Sequence, residues 1–323
     1  MNKAYPIAIA ISLIYLVLYV ILGVTGVLFY LETDAEPIGS ISGWCERVTA
    51  GIFRENANAL SNLGFMVAGL LMFRKLTKDE ATNNSKNNFT SLNKLSVLYA
   101  GAAIYLGPGS MLMHGTHTEW GGWADNLSMV MYILFPWLYN LKEMGRWSSN
   151  KFLQVYFSIV IVYAVARWFF GGRLGIGLDL FGLSIGLWVI SETLYRFWSP
   201  VFRWASGLVG FVVAAVFGIT PMEIFSDLET FWWVALFWVP AIFASEKPRI
   251  ERTYTPWFFM GMASYMIAFA IWLQGQPNNP SIFTEQMCNP DSLIQPHAIW
   301  HLLTAYATWC FFMFFRTEKQ INE

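Results

Sequence analysis

Apolar runs of about 20 residues recur along the whole chain, and this repetition constrains the fold more than any other feature. A helix of about 20 residues crosses the hydrocarbon core of a bilayer with its backbone polar groups satisfied internally. The runs lie at about 6–30, 57–73, 95–114, 123–141, 153–171, 174–195, 204–221, 229–245, 255–274 and 296–315. The sequence therefore predicts an all-α, polytopic transmembrane helical bundle with about ten spans.

The composition supports a membrane protein and excludes one class of partner. Only 13% of the residues are charged and 56% are hydrophobic, which is too little polar surface for a soluble protein of 323 residues. The formal net charge is −1, and no basic stripe is present. A nucleic-acid partner is therefore not expected, and the bilayer is the main surroundings of the chain.

The distribution of Lys and Arg predicts the orientation of the helices. With ten spans and both termini cytoplasmic, all but four of the 20 Lys and Arg residues lie on the inner side. The four outer residues are Arg47, Arg54, Arg167 and Arg173. We expect residues 1–55 to form an N-terminal anchor helix with an outer loop, and residues 56–323 to form the main transmembrane domain.

All four histidines lie in two short stretches at the predicted outer ends of helices. His297 and His301 are four residues apart, so they share one helix face and can reach one metal ion. His114 lies at the same predicted depth, and three imidazoles leave a fourth tetrahedral position for water. These three predict a catalytic zinc site, although single histidines in membrane helices are often only hydrogen-bonded to a neighbouring helix. We assign His117 to the loop and not to the zinc ligands.

Two further polar residues lie beside the first stretch. Ser110 is four residues before His114, on the same helix face, where its hydroxyl could stabilise an oxyanion. Asp125 follows His114 by eleven residues, across a Gly-rich turn, and could accept a proton from water. An Asp inside a membrane helix indicates function because its burial is costly, whereas a serine there often only packs between helices.

The cysteines are consistent with an outer location of these loops. Cys45 and Cys288 both lie in predicted outer loops, where an oxidising compartment permits a disulfide, while Cys310 lies inside the last span. We predict a Cys45–Cys288 disulfide. The alternative is that these are two unrelated buried thiols.

Together these motifs resemble a known family. The S-x3-H-x10-D block, the final H-x3-H and the upstream segment GWCERVTAGIFRENANALSNLGF are similar to the alkaline ceramidases and their superfamily of intramembrane hydrolases, which includes the progestin and adipoQ receptors. The similarity covers about 43–141 and 285–316. It implies a seven-helix core, here with extra spans, and zinc bound by the histidines His114, His297 and His301. The resemblance also implies that Ser110 and Asp125 lie close to the zinc-bound water, and it supports the Cys45–Cys288 disulfide.

The resemblance further implies a calcium site in the upstream segment. The matching positions are Trp44, Glu46, Glu55 and Asn58. The chain departs from the family pattern at Gly43, where the family has Asp, and at Val48, where it has Asn. Calcium prefers six to eight oxygen ligands, so the alternative is that Glu46 and Glu55 form helix caps and salt bridges with Arg47 or Arg54.

The function implied is hydrolysis of the N-acyl bond of ceramide or a related lipid amide to a fatty acid and a sphingoid-like base. The implied cofactor is Zn²⁺, and Ca²⁺ is a second cofactor if the upstream segment binds it. The zinc site is expected near the outer side of the membrane. The alternative function is a non-enzymatic, zinc-containing lipid or hormone receptor, and a transporter is a third class.

Overall fold

The structure, a computed structural model, describes residues 3–33, 36–82, 86–277 and 287–321. The α-helices are α1 (Ala4–Val24), α2 (Asn56–Ser61), α3 (Leu63–Ala81), α4 (Lys94–Thr116), α5 (Glu119–Met144), α6 (Ser149–Phe170), α7 (Leu180–Arg196), α8 (Pro200–Ala205), α9 (Val209–Val216), α10 (Pro221–Ser226), α11 (Val239–Phe243), α12 (Trp257–Gly275) and α13 (Pro296–Phe315). Short 3₁₀ helices lie at Val27–Phe29, Ser206–Leu208 and Trp232–Trp238, and two-residue strands at Ile250–Glu251 (β1) and Lys319–Gln320 (β2). The all-α prediction is therefore confirmed.

Six helical segments of the described residues are long and apolar enough to cross a membrane. They are Ala4–Val24, Asn56–Ala81, Lys94–Thr116, Ser149–Phe170, Trp257–Gly275 and Pro296–Phe315. Each coincides with one of the predicted apolar runs. The six helices are consistent with a multi-pass membrane protein, and their number is smaller than the ten spans expected from the sequence.

The other four predicted spans differ in length or continuity. Helix α5 is long but more polar, and α7 has only 17 residues. The run 204–221 is divided because Gly218 takes a left-handed conformation (φ +85°) and Pro221 begins a new helix. Within 229–245 the chain forms a 3₁₀ helix and then the five-residue α11, which has a proline in its first turn. The expected continuous helices in these two runs were wrong.

The described chain divides into two compact units, the first comprising Met1–Ser128 and Arg252–Lys319 and the second Met129–Glu251 and Gln320–Glu323. In the first unit, small residues let α3 and α4 approach closely. A Cβ at Gly107 would lie 2.4 Å from Met66 Cγ, and one at Gly69 would lie 2.4 Å from Ile104 Cγ1. Such close contact is how helices associate where lipid offers no hydrophobic driving force.

The end of α4 is completed by backbone hydrogen bonds from two distant loops. The N–H of Glu55 donates to the carbonyl of His114 at 2.9 Å, and that of Arg54 donates to Gly115 at 3.0 Å. The N–H of Thr33 donates to the carbonyl of His117 at 2.9 Å. These bonds satisfy carbonyls that a helix terminus leaves without partners, and they hold residue 55 against the last turn of α4.

The start of α13 is fixed just as closely. Pro296 occupies the first helical position, where its missing N–H costs nothing. The side-chain amide of Gln295 donates to the carbonyls of Asn289 (3.0 Å) and Ser292 (2.7 Å), which ties the preceding loop to the helix. His297 therefore lies in the first turn of a well-anchored helix.

The predicted disulfide is confirmed. Cys45 and Cys288 are joined, with their Cα atoms 5.5 Å apart, while Cys310 is a buried free cysteine in α13. Beside the disulfide, the Arg47 guanidinium donates to both carboxylate oxygens of Asp291, at 2.6 and 2.9 Å. The two loops that flank the histidines are therefore joined covalently and by an ion pair.

Candidate metal centre

Three histidines from two helices meet in the first unit. His114 lies in the last turn of α4, and His297 and His301 lie one turn apart in α13. All three are buried, and one nitrogen of each lies within 4.8 Å of the others. The Nε2 atoms of His114 and His297 are 3.0 Å apart. Two ligands about 2.05 Å from a tetrahedral ion would be about 3.3 Å apart, so the spacing suits a shared metal.

A carboxylate orients His114. Its Nδ1 lies 2.8 Å from Oε2 of Glu55, a fully buried residue. A carboxylate accepts the proton on Nδ1, which leaves the Nε2 lone pair for a metal ion. Burial alone would raise the pKa of Glu55, but the imidazoles of His114 and His117 outweigh it and lower the pKa to about 2. Glu55 is therefore ionised at neutral pH.

His301 is oriented by neutral groups. Its Nδ1 lies 2.8 Å from Ser61 Oγ and 3.2 Å from the carbonyl oxygen of Asn58. The Ser61 hydroxyl itself donates to that carbonyl at 2.8 Å, so its oxygen is left to accept from the imidazole. His301 therefore carries its proton on Nδ1 and presents Nε2 to the cluster.

His297 is held by an aromatic ring. The indole of Trp44 stacks on its imidazole, with the ring centroids 4.5 Å apart and an interplanar angle of 27°. Among the described residues, Nδ1 of His297 has no hydrogen-bond partner. Trp44 comes directly before Cys45, so the Cys45–Cys288 disulfide helps to hold its indole against His297.

The two predicted catalytic residues are brought to the same neighbourhood. Ser110 is buried on α4, one turn before His114, and Asp125 is buried in the second turn of α5. Asp125 lies close enough to His114 for their charges to interact. A hydroxyl one turn from His114 and a carboxylate within electrostatic range of it are groups of the kind that stabilise an oxyanion and move a proton.

The four residues of the predicted calcium site have other roles in this structure. Glu46 caps α2, because its two oxygens accept the N–H groups of Ala57 (2.7 Å) and Asn58 (2.8 Å). Burial raises the pKa of Glu46, and the two N–H donors oppose that shift. Of the four side chains, the one oxygen without a hydrogen-bond partner is Oδ1 of Asn58.

This donor set is a poor fit for calcium, which takes six to eight oxygens. The glutamate roles partly match the alternative expected from the sequence, since Glu46 does act as a cap. The two arginines pair elsewhere, Arg47 with Asp291 and Arg54 with Glu32. Calcium binding by this segment stays a prediction.

A second cluster was not foreseen from the sequence. Glu36, Glu55 and His117 each offer one ligand atom, and these atoms lie within 4.8 Å of one another. His117 is not an open loop residue, because it ends α4 in a left-handed conformation (φ 49°) and is buried. The available signal was its position three residues after His114, which places both imidazoles at one helix end.

A cavity of about 340 Å³ adjoins the second cluster and not the first. Its lining includes Glu36, Glu55, His117 and Trp44 but none of the three clustered histidines. Two of its lining residues contact the three-histidine cluster, since Trp44 stacks on His297 and Glu55 lies 2.8 Å from His114.

A protein-family model described as Ceramidase matches residues 36–323, which is most of the chain and includes every residue of both clusters. No curated protein matches the chain.

Proposed function

Because this chain belongs to the ceramidase family, we propose that it is an integral-membrane, zinc-dependent amidase. The expected substrate is ceramide or a related lipid amide, and the products are a fatty acid and a sphingoid-like amine. The observation that carries the proposal is the convergence of three buried imidazoles from α4 and α13. Three neutral nitrogens that leave the fourth tetrahedral position of an ion without a protein ligand are the donor set typical of catalytic zinc.

His114, His297 and His301 would hold the ion through Nε2. Bound zinc supplies a Lewis acid that polarises a carbonyl and lowers the pKa of water. The orientation of His114 by Glu55 and of His301 by Ser61 keeps these nitrogens deprotonated and directed at one point. The site is therefore ordered before substrate binds, which reduces the entropic cost of reaching the transition state.

Asp125 is proposed as the general base. Its carboxylate takes a proton from the attacking water and later returns it to the nitrogen of the leaving amine, so that proton and charge balance over the cycle. Ser110 is proposed to donate its hydroxyl proton in a hydrogen bond to the developing oxyanion. Both residues are buried, and a low-dielectric setting strengthens these interactions.

The proposal includes an orientation and a domain division. The excess of Lys and Arg on one side favours cytoplasmic termini, with the zinc site near the outer or luminal face. The Cys45–Cys288 disulfide supports this placement, since disulfides persist in oxidising compartments. Residues 1–55 are proposed as the anchor helix and outer loop, and residues 56–323 as the catalytic domain.

The test is hydrolysis by the purified full-length protein in detergent. We expect fatty acid and sphingoid base to be released from a ceramide panel, as measured by mass spectrometry, and release to stop after chelation and return with Zn²⁺. His297→Ala should abolish release, while Leu302→Ala, at an exposed position on the same helix, should retain it. Zinc-loaded protein that hydrolyses no lipid amide would favour the non-enzymatic receptor.

A further inference from the structure

The N-terminal helix α1 lies outside residues 36–323, the part of the chain that matches the ceramidase family. One side of α1 exposes apolar side chains such as Val17 and Ile21, as expected for a helix that borders lipid. The other side packs against the first unit, and its largest buried side chain, Tyr19, is only 3% exposed. A polar hydroxyl is therefore carried into the protein by a helix that the family model does not include.

Two tyrosines one turn apart on α1 contact α4 on either side of the segment that carries His114. The hydroxyl of Tyr15 donates to the carbonyl of Pro108 at 3.1 Å. The hydroxyl oxygen of Tyr19 lies against the backbone of Gly115, where an added Cβ would collide with it. The segment of α4 between these two contacts is therefore supported by α1 at both of its ends.

This segment needs outside support because Pro108 interrupts the hydrogen bonding of α4. Proline has no N–H, so the helix lacks the bond that would go to the carbonyl four residues earlier. The helix ends at Thr116, which leaves only about two turns after the proline. Those two turns carry His114, and fewer backbone bonds join them to the rest of α4.

Tyr19 also holds the loop that supplies Glu55. Its hydroxyl donates to the carbonyl of Ile52 at 3.0 Å, and its ring stacks on Phe53 with the centroids 5.1 Å apart and an interplanar angle of 17°. Two residues after Phe53, the carboxylate of Glu55 lies 2.8 Å from Nδ1 of His114. One side chain of α1 therefore contacts both the helix end that carries His114 and the loop that carries its carboxylate partner.

We propose that Tyr19 is a positioning residue of the three-histidine cluster. It fixes the end of α4 and the loop 52–55 against each other, so that Glu55 holds the imidazole of His114 with Nε2 directed at the metal ion. The inference rests on the proposed function, because it takes the cluster to be a metal centre. Partners that orient metal ligands typically change metal affinity by about 10–100-fold. Tyr19 acts one contact further away, so the loss of its hydroxyl should lower zinc affinity by about fivefold, the value of one hydrogen bond.

The experiment measures the Zn²⁺ affinity of the purified full-length protein in detergent, by competition with a chelating dye. The visible absorption of Co²⁺ bound in place of Zn²⁺ reports the ligand geometry. Gly115→Ala drives a methyl group into the Tyr19 hydroxyl, and we expect affinity to fall by about 100-fold with a changed Co²⁺ spectrum. Adding Tyr19→Phe removes the colliding oxygen and leaves the ring carbon Cζ 3.0 Å from the new Cβ, so the double variant should regain about tenfold.

Tyr156→Phe is the matched control. The hydroxyl of Tyr156 donates to the carbonyl of Met131 at 2.6 Å within the second unit, so this variant also loses a buried hydroxyl-to-carbonyl bond. We expect Tyr19→Phe and Tyr156→Phe to lower the melting temperature alike, while only Tyr19→Phe weakens Zn²⁺ binding and alters the Co²⁺ spectrum. Equal Zn²⁺ affinity in Tyr19→Phe and the wild type overturns the positioning role, and this variant decides the matter if Gly115→Ala does not fold.

These readouts separate the inference from the proposed function, because metal binding does not depend on turnover. Wild-type protein that binds Zn²⁺ with the expected Tyr19→Phe loss but hydrolyses no lipid amide refutes the amidase and supports the positioning role. An active amidase with unchanged Zn²⁺ affinity in Tyr19→Phe refutes the positioning role alone. A Gly115→Ala defect that is equally severe with and without Tyr19→Phe also contradicts it, since the collision would then not involve the hydroxyl.

Discussion

Glu55 contacts both His114 of the three-histidine cluster and His117 of the second cluster, but the two clusters are built differently. The three-histidine cluster takes its ligands from helices α4 and α13, and every imidazole is buried. The Glu36–Glu55–His117 cluster takes its residues from a loop, a helix start and a helix end, and it borders a cavity. Helices hold side chains more precisely than loops do, so the three-histidine cluster is the more rigidly built of the two.

The largest expected effect comes from removing one imidazole of the buried cluster. In His301→Ala, amide hydrolysis should fall by about 10⁴-fold or more, equivalent to about 5.4 kcal/mol of transition-state stabilisation. The zinc content should fall by one ion, because two protein ligands hold zinc weakly. Leu302→Ala, at the next position, is the matched control and should keep both activity and zinc. Hydrolysis at the wild-type rate in His301→Ala would show that the cluster is not catalytic.

Removing the proposed base should slow the chemistry without emptying the cluster. In Asp125→Asn we expect kcat to fall by about 10²–10³-fold, the usual contribution of a general base. The number of zinc ions should be unchanged, because asparagine keeps the shape of the side chain and the three imidazoles remain. Loss of zinc in this variant would instead mean that Asp125 maintains the site, and unchanged turnover would remove it from the mechanism.

The sequence predicted one cluster and missed the other for a physical reason. Helix periodicity relates His297 to His301 and Ser110 to His114, whereas the meeting of His114 with the other two histidines was inferred from their common predicted depth and from the family resemblance. Glu55 reaches His114 through backbone hydrogen bonds between a loop and the end of α4. No periodicity encodes such a contact, and the family resemblance placed Glu55 in a predicted calcium site instead.

In the fold, too, features set by local sequence properties could be predicted, whereas others could not. The six segments that could span a membrane coincide with apolar runs, because length and hydropathy are local properties. The disulfide was also predictable, since both cysteines were placed in outer loops. The breaks at Gly218 and Pro221 were overlooked because hydropathy does not register a left-handed glycine or a new helix start.

The shared carboxylate offers a way to disturb both clusters at once. In Glu55→Gln, zinc affinity of the buried cluster should fall by about 10–100-fold, because His114 loses the ionised acceptor that fixes its tautomer. The contact with His117 should weaken as well, since the ionised acceptor of its Nε2–H becomes a neutral amide. The measurement is zinc titration monitored by ion content and by amide hydrolysis.

Glu46→Gln is the control for that experiment. Glu46 is also a buried carboxylate of the same segment, but it caps α2 and belongs to neither cluster. We expect it to lower stability by about 1 kcal/mol through the weakened cap while zinc stays bound to the three-histidine cluster. If Glu46→Gln and Glu55→Gln reduced the ion count equally, the distinction between a cap and a shared ligand partner would fail.

The smallest effect should come from removing the Ser61 hydroxyl, one of the two neutral groups that orient His301. The size of this effect measures how much the buried cluster depends on a single orienting group. Ser61→Ala removes the hydroxyl 2.8 Å from Nδ1, but the Asn58 carbonyl at 3.2 Å remains to accept the same proton. The tautomer should therefore be kept, and zinc affinity should fall by about fivefold, the value of one hydrogen bond of about 1 kcal/mol. Ser61→Thr, which retains the hydroxyl, should restore the affinity. Replacing the ionised partner of His114 should cost more than replacing one of two neutral acceptors of His301. If Ser61→Ala lowered zinc affinity as much as Glu55→Gln, this expected difference between charged and neutral hydrogen-bond partners would be contradicted.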